Sequence, residues 1–377
     1  MLVLFAAGFL TIINETIPAG LLPQIADTLH VSESVAGQTV SIYALATALS
    51  AVPLSAVLAT WGRRTVLVAA LAAFVLANAV IAASSSFTVI ITARLVAGIG
   101  AGLIWSNLAV YAARLVAPAV QGRAMSIANA GTPIALSIGL PAGTLLGNAT
   151  GWHATFAVVA VAGGVLILAA FAALPNLPGY AAGDGRVRLA GMLRVRGVVT
   201  ILAVMSGFFL AHNVLYTYVA PLASRAGLEG QTQWVLMTFG FAALLSILIT
   251  GTLIDRRHRH LTVTSLVLVG GGALLITLVP LSPALLYVAA AAWGLGFGGG
   301  ATLFLTAGIR TAGDAIAPTM VTLVNLAIAA GGAIGGILLD DVGTMAIPWA
   351  ALILMVPTAL AAILARKHAF PHWTAAD

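Results

Sequence analysis

Cysteine is absent from all 377 residues, which excludes disulfides, thiolate chemistry and cysteine-ligated metal and leaves the redox compartment open. Charge is scarce too: Asp, Glu, Lys and Arg make up 7% of the chain, against about a quarter in a water-soluble domain. A soluble fold is therefore excluded. Lysine occurs once, at Lys367, beside fifteen arginines, a bias that points to a GC-rich bacterial source. There is no P-loop, no dense His or carboxylate cluster and no nucleophile–base pattern, so ATP-driven transport and membrane enzymology are set aside and no metal or cofactor is expected. The net charge of +6 is spread over many short loops instead of one basic face, so nucleic acid is not expected as a partner.

What the chain has in quantity is apolar sequence, 61% of its residues. A bilayer core takes about 20 helical residues, and the chain divides into twelve such runs, near 2–27, 34–60, 65–84, 87–113, 124–147, 153–174, 197–223, 231–253, 261–280, 283–309, 316–339 and 345–365. The expected fold is an all-α polytopic membrane protein. With both termini cytoplasmic, fourteen of the sixteen basic residues fall on the cytoplasmic side, leaving only Arg94 inside a helix and Arg225 outside, as the positive-inside rule requires. A bacterial cytoplasmic (inner) membrane and a monomer are the expected setting.

The longest polar interruption, PNLPGYAAGDGRVRLAGMLRVR, reads as a cytoplasmic linker over 175–196 between six-helix halves at 1–174 and 197–366, with a cytoplasmic tail at 367–377. The halves repeat at an offset of 196: Gly98, Gly100 and Gly102 recur as Gly294, Gly296 and Gly298, Asn129 as Asn325, Ile138-Gly139 as Ile334-Gly335, and Arg63 as Arg259. Parallel repeats of this kind lead one to expect the substrate site between the halves near the bilayer midplane.

Glu15 is the one acidic residue placed in the middle of an apolar run, FLTIINETIPAGLLPQI. A carboxylate among Phe, Leu and Ile loses its water, so it should hold its proton more tightly than in solution and release it when a path to water opens. That suits proton coupling; the plainer alternatives are a polar cavity lining or a structural pair with Arg94. Arg94 lies in the fourth run and needs a carboxylate, a carbonyl or water there. Trp105 falls on the Arg94 and Gly98 face of that helix. In the seventh run His212, Asn213 and Tyr216 share a face able to offer hydrogen bonds and a ring surface. Asn14, Asn107, Asn129 and Asn325 add neutral donors and acceptors, and with Phe304 they complete the candidate substrate set. Such asparagines serve equally as interhelical glue.

Several motifs carry a family resemblance. The loop Gly251-Thr252-Leu253-Ile254-Asp255-Arg256-Arg257 and the shorter Gly62-Arg63-Arg64 resemble the cytoplasmic loop signature of the major facilitator superfamily. The resemblance implies a conformational latch at Arg63, Arg64, Asp255 and Arg256, although Ala59 stands where an acid would be expected. Arg94 to Gly98 resembles the R-x-x-x-G of its exporters, and Gly139-Leu140-Pro141-Ala142-Gly143 the Gly-Pro motif of antiporters, with Gly139, Pro141 and Gly143 as helix-bending positions. Together these resemble the sugar-efflux and arabinose-efflux group of the drug:proton antiporter family. The implied activity is proton-coupled export of a sugar or amphipathic drug through twelve helices in two pseudo-symmetric halves. Partners would be a small-molecule substrate, protons and the lipid bilayer. An uptake symporter or uniporter of the same fold is the alternative, and a non-transporting receptor a remote one.

Overall fold

The computed structural model describes residues 1–117, 121–179, 193–278, 283–313 and 316–371. Most of the expected linker, 180–192, and the end of the tail, 372–377, lie outside the described residues. Two compact units divide the chain, Met1–Arg186 and Val187–Asp377.

The first unit contains α1 (Leu2–Gly20), α2 (Leu22–Leu29), α3 (Glu33–Val57), α4 (Arg63–Ala83), α5 (Phe87–Arg114), α6 (Gln121–Asn129), α7 (Gly131–Ile134), α8 (Leu140–Thr150) and α9 (Trp152–Ala173). The second contains α10 (Val198–Thr217) and α11 (Val219–Arg225). The run Thr232–Thr277 follows, interrupted by the non-helical Arg257 (φ −135°, ψ 27°); its two spans are α12 (Thr232–Ile254) and α13 (Arg256–Thr277). Then come α14 (Ala284–Phe297), α15 (Gly300–Ala312), α16 (Ala317–Asp341) and α17 (Ala346–Leu364).

Among the described residues ten helical stretches are long and apolar enough to cross a membrane, with α14 and α15 forming one of them. The expected second and fifth spans are not in that set. The second is α3, 25 residues long, part of whose side chains lie outside the description. The fifth is assembled from α6, α7, a π-helical turn at Ala135–Gly139 and α8. Helix faces that meet no other helix are apolar, as lipid contact demands: Val158, Val161, Val165 and Leu168 on α9, Ile353, Val356 and Leu360 on α17.

Proline accounts for the breaks. The expected first helix stops at Leu21 (φ −121°, ψ 15°) and the expected seventh at Tyr218 (φ −112°, ψ 27°). Pro23 and Pro221 follow within three residues and cannot donate to the turn before them. The π-helical turn ends two residues before Pro141, whose missing N–H lets the ladder widen there.

The repeat seen in the sequence is also a repeat of contacts inside each unit. Gly98 lies against the Tyr43 carbonyl and the Ala46 methyl, and Gly294 against the Phe239 carbonyl and the Ala242 methyl, all at the same offset of 196. Gly102 packs on Ser50, and the Gly299 N–H reaches Ser246, the residue corresponding to Ser50, at 3.1 Å. Glycine is required because a Cβ at Gly98 or Gly294 would collide with main-chain oxygen.

Candidate functional site

In the first unit the glycine stripe of the fifth span sets α1. Gly139 packs on Ile13 and Phe9, Gly143 on Ile17 and Gly147 on Leu21, so a smooth strip of one helix meets a ridge of side chains spaced four apart on the other. Asn14 and Glu15 fall between Ile13 and Ile17 in the chain but on other faces of the helix, at about 100° per residue, and are 0% and 5% exposed. Pro18 then matters. It lacks the N–H that would occupy the Asn14 carbonyl, and the freed oxygen accepts from Arg94 Nη1 at 2.6 Å.

Arg94, 0% exposed on α5, is satisfied mainly by main chain. Its Nε donates to the Thr39 carbonyl on α3 at 2.9 Å, Nη1 also meets Asn14 Oδ1 at 3.2 Å, and Nη2 reaches the Glu15 carbonyl at 3.3 Å. The guanidinium lies over the Tyr43 ring, 4.4 Å from its centroid, a cation–π contact in a buried place. Tyr43 in turn donates to the Thr11 carbonyl at 3.1 Å. Of the acceptors the sequence left open for Arg94, carbonyls fill the role; among the described residues the Glu15 carboxyl group has no hydrogen bond or ion pair.

The second unit gathers aromatic rings in place of this polar knot. His212 on α10 stacks on Phe297 with centroids 3.6 Å apart and planes at 11°, and on Tyr216 at 4.9 Å. Trp293 donates its Nε1–H to His212 Nδ1 at 3.0 Å and lies 4.7 Å from Phe239. Phe239 corresponds to Tyr43 at the offset of 196, so one position serves an arginine in one unit and an indole in the other.

The remaining candidates are not drawn into either group by the contacts they make. Trp105 is half-buried beside Gly8 of α1. Asn107 is buried and donates to the Arg63 carbonyl at 2.9 Å. Asn129 is exposed at the end of α6. Asn213 and Asn325 donate back to their own helices, at the Phe209 and Val321 carbonyls, and Phe304 is enclosed between Phe208 and Phe370.

Among the residues expected to form a latch, Arg63 is buried, donates to the Ala59 carbonyl at 3.3 Å and binds the Leu177 carbonyl through its main-chain N–H at 2.8 Å. Arg64 caps the end of α9, donating to the Leu174 carbonyl at 3.1 Å. The second unit does the same with Arg259, which donates to the Ile363 carbonyl at 2.8 Å and the Phe370 carbonyl at 2.9 Å. Helix C-termini leave such carbonyls unpaired, and a guanidinium suits them in both geometry and charge. Arg256 is exposed, and the Asp255 side chain lies outside the described residues. Ala369 and Phe370, expected in the tail, are 0% exposed and belong to this packing.

Residues 4–336 match the family model described as Major Facilitator Superfamily. The chain belongs to the Major Facilitator Superfamily. It is similar to the purine ribonucleoside efflux pump NepI of Escherichia coli, 27% identical over 88% of this chain and 85% of that one. It is similar also to a chloramphenicol resistance protein of Streptomyces lividans, 33% identical over 81% and 79% of the two chains. The transcription regulatory protein OpdE of Pseudomonas aeruginosa is 29% identical over 98% and 94%. As a member of the superfamily this chain is a multi-pass membrane transporter and not an enzyme.

Within this superfamily member, sequence reasoning missed Thr39, Tyr43, Phe239, Trp293, Phe297 and the capping role of Arg259. One signal was present for two of them. Tyr43 and Phe239 are aromatic at the same repeat position, four residues before Thr47 and Ala243, where the glycine-bearing helix packs.

Proposed function

We propose that this transporter is a proton-coupled exporter of small neutral solutes, acting by alternating access from twelve helices in two halves of a bacterial cytoplasmic membrane. The observation that carries the reading is the state of Glu15. It is 5% exposed, and the nearby guanidinium is committed to the carbonyls of Asn14, Glu15 and Thr39. Gain or loss of a proton at the carboxyl group therefore breaks no ion pair. A site that holds a proton in one state and favours solute in the other couples the two fluxes through its differential affinities.

Direction and solute class draw on the relatives, one named for purine ribonucleoside efflux and one for chloramphenicol resistance. Of the two classes in view, sugar and amphipathic drug, the ring cluster around His212 favours a solute that combines a flat face with polar groups.

The test is accumulation of radiolabelled inosine or chloramphenicol in inverted membrane vesicles with an acid lumen. An exporter draws solute into the lumen as protons leave it, and a protonophore abolishes the uptake. A proton symporter empties a preloaded lumen under the same gradient, and a uniporter ignores it; either result overturns the proposal.

A further inference from the structure

We infer that His212 is a tautomer-locked hydrogen-bond donor to the transported solute and that Trp293 is the positioning residue that locks it. The inference rests on the export reading above and adds a chemical requirement: the solute presents a hydrogen-bond acceptor at the edge of a flat, unsaturated ring.

An indole N–H only donates, so the contact from Trp293 Nε1 to His212 Nδ1 at 3.0 Å requires an unprotonated Nδ1. In a neutral ring the proton then resides on Nε2. An imidazolium would set two donors against each other, so the same contact also opposes charge on the ring. The Nε2–H so defined has no acceptor among the described residues, yet it is not among the polar atoms sealed away from all accessible space. His212 as a whole is only 5% exposed, with Phe297 and Tyr216 stacked on it.

A buried donor facing hydrocarbon or a dry core costs several kcal/mol. The open edge of His212 therefore faces a space that admits water or a polar solute group. Phe297, parallel to the imidazole and to Phe208, is half-buried, so part of its ring remains accessible next to His212. A solute with a ring to stack and an acceptor at its margin satisfies both surfaces at once, and one without the acceptor leaves the Nε2–H unpaired.

The experiment uses the full chain in lipid nanodiscs. Nitrogen NMR of histidine-labelled protein, with the His212 signal identified by its loss in His212→Gln, reads the tautomer without any ligand. Binding of radiolabelled inosine or chloramphenicol reads the contact. The expected wild-type spectrum shows protonated Nε2 and bare Nδ1, and Trp293→Phe yields a mixture of tautomers. Gln places an N–H where Nε2–H was, so His212→Gln binds within about threefold of wild type, whereas His212→Phe weakens binding about tenfold, one hydrogen bond's worth. A wild-type ring protonated on Nδ1, or equal binding by the Gln and Phe variants, overturns the inference. Absence of transport of either compound by wild type counts against the export reading instead, and the tautomer measurement still decides the state of His212.

Discussion

Arg94 donates to the main-chain oxygen of Glu15 at 3.3 Å and leaves the carboxyl group of the same residue unpaired. The two charges share a neighbourhood without forming a bond, so one can titrate while the other holds the helices. This relationship gives the arginine a structural place that does not depend on the carboxyl group, and a double-mutant cycle tests that independence. Arg94→Met strips donors from three buried carbonyls and should cost about 3 kcal/mol or more, read as a fall in unfolding temperature of the purified protein. Adding Glu15→Gln should restore only about 0.5 kcal/mol of that loss, the low end of the range for residues in contact, because no ion pair joins the two side chains. Substantial rescue would mean that the arginine exists to neutralise the carboxylate.

The paired glycines give a second expectation. Gly98→Ala and Gly294→Ala each drive a methyl group into main-chain oxygen, of Tyr43 and Phe239 respectively. Each should destabilise by about 1–3 kcal/mol. Gly164→Ala and Gly271→Ala meet nothing within 4 Å and should stabilise slightly, by up to about 1 kcal/mol through helix propensity. Thermal unfolding of the four variants side by side checks the contrast.

Arg64 and Arg259 predict a local effect, not a global one. Arg259→Gln gives up donors to Ile363 and Phe370, so amide exchange at 364–371 should accelerate at least about tenfold, as two charge-assisted hydrogen bonds are lost. Arg64→Gln should do the same at 171–179, where Leu174 loses its cap. Exchange that quickens evenly along the chain would show that these arginines support the whole fold.

The membrane class and the 196-residue repeat were legible because both depend on side chains: runs of apolar residues and glycines at matched spacing. Glu15 and Arg94 stood out for the same reason, as charges in apolar sequence. The partner of Arg94 was less legible, since every residue carries a carbonyl and only Pro18, four residues beyond Asn14, indicates which one is free. The aromatic cluster escaped notice because Phe239, Trp293 and Phe297 look like ordinary apolar residues until a fold places them around His212. Asparagines drew attention for their polarity, yet Asn213 and Asn325 spend it on their own helices. The fifth span is interrupted at Ala130 and carries a π-helical turn just before Pro141, one of the positions expected to bend it; the proline marked the place but not that the ladder would widen there.

The most direct measurement compares Glu15→Gln with wild type in inverted vesicles, following inosine or chloramphenicol both without a gradient and with an acid lumen. Proton coupling through Glu15 predicts that the variant exchanges solute down its own concentration gradient but does not accumulate it when the lumen is acidified. Gradient-driven accumulation at the wild-type level by Glu15→Gln would contradict that role and leave the carboxyl group a structural one.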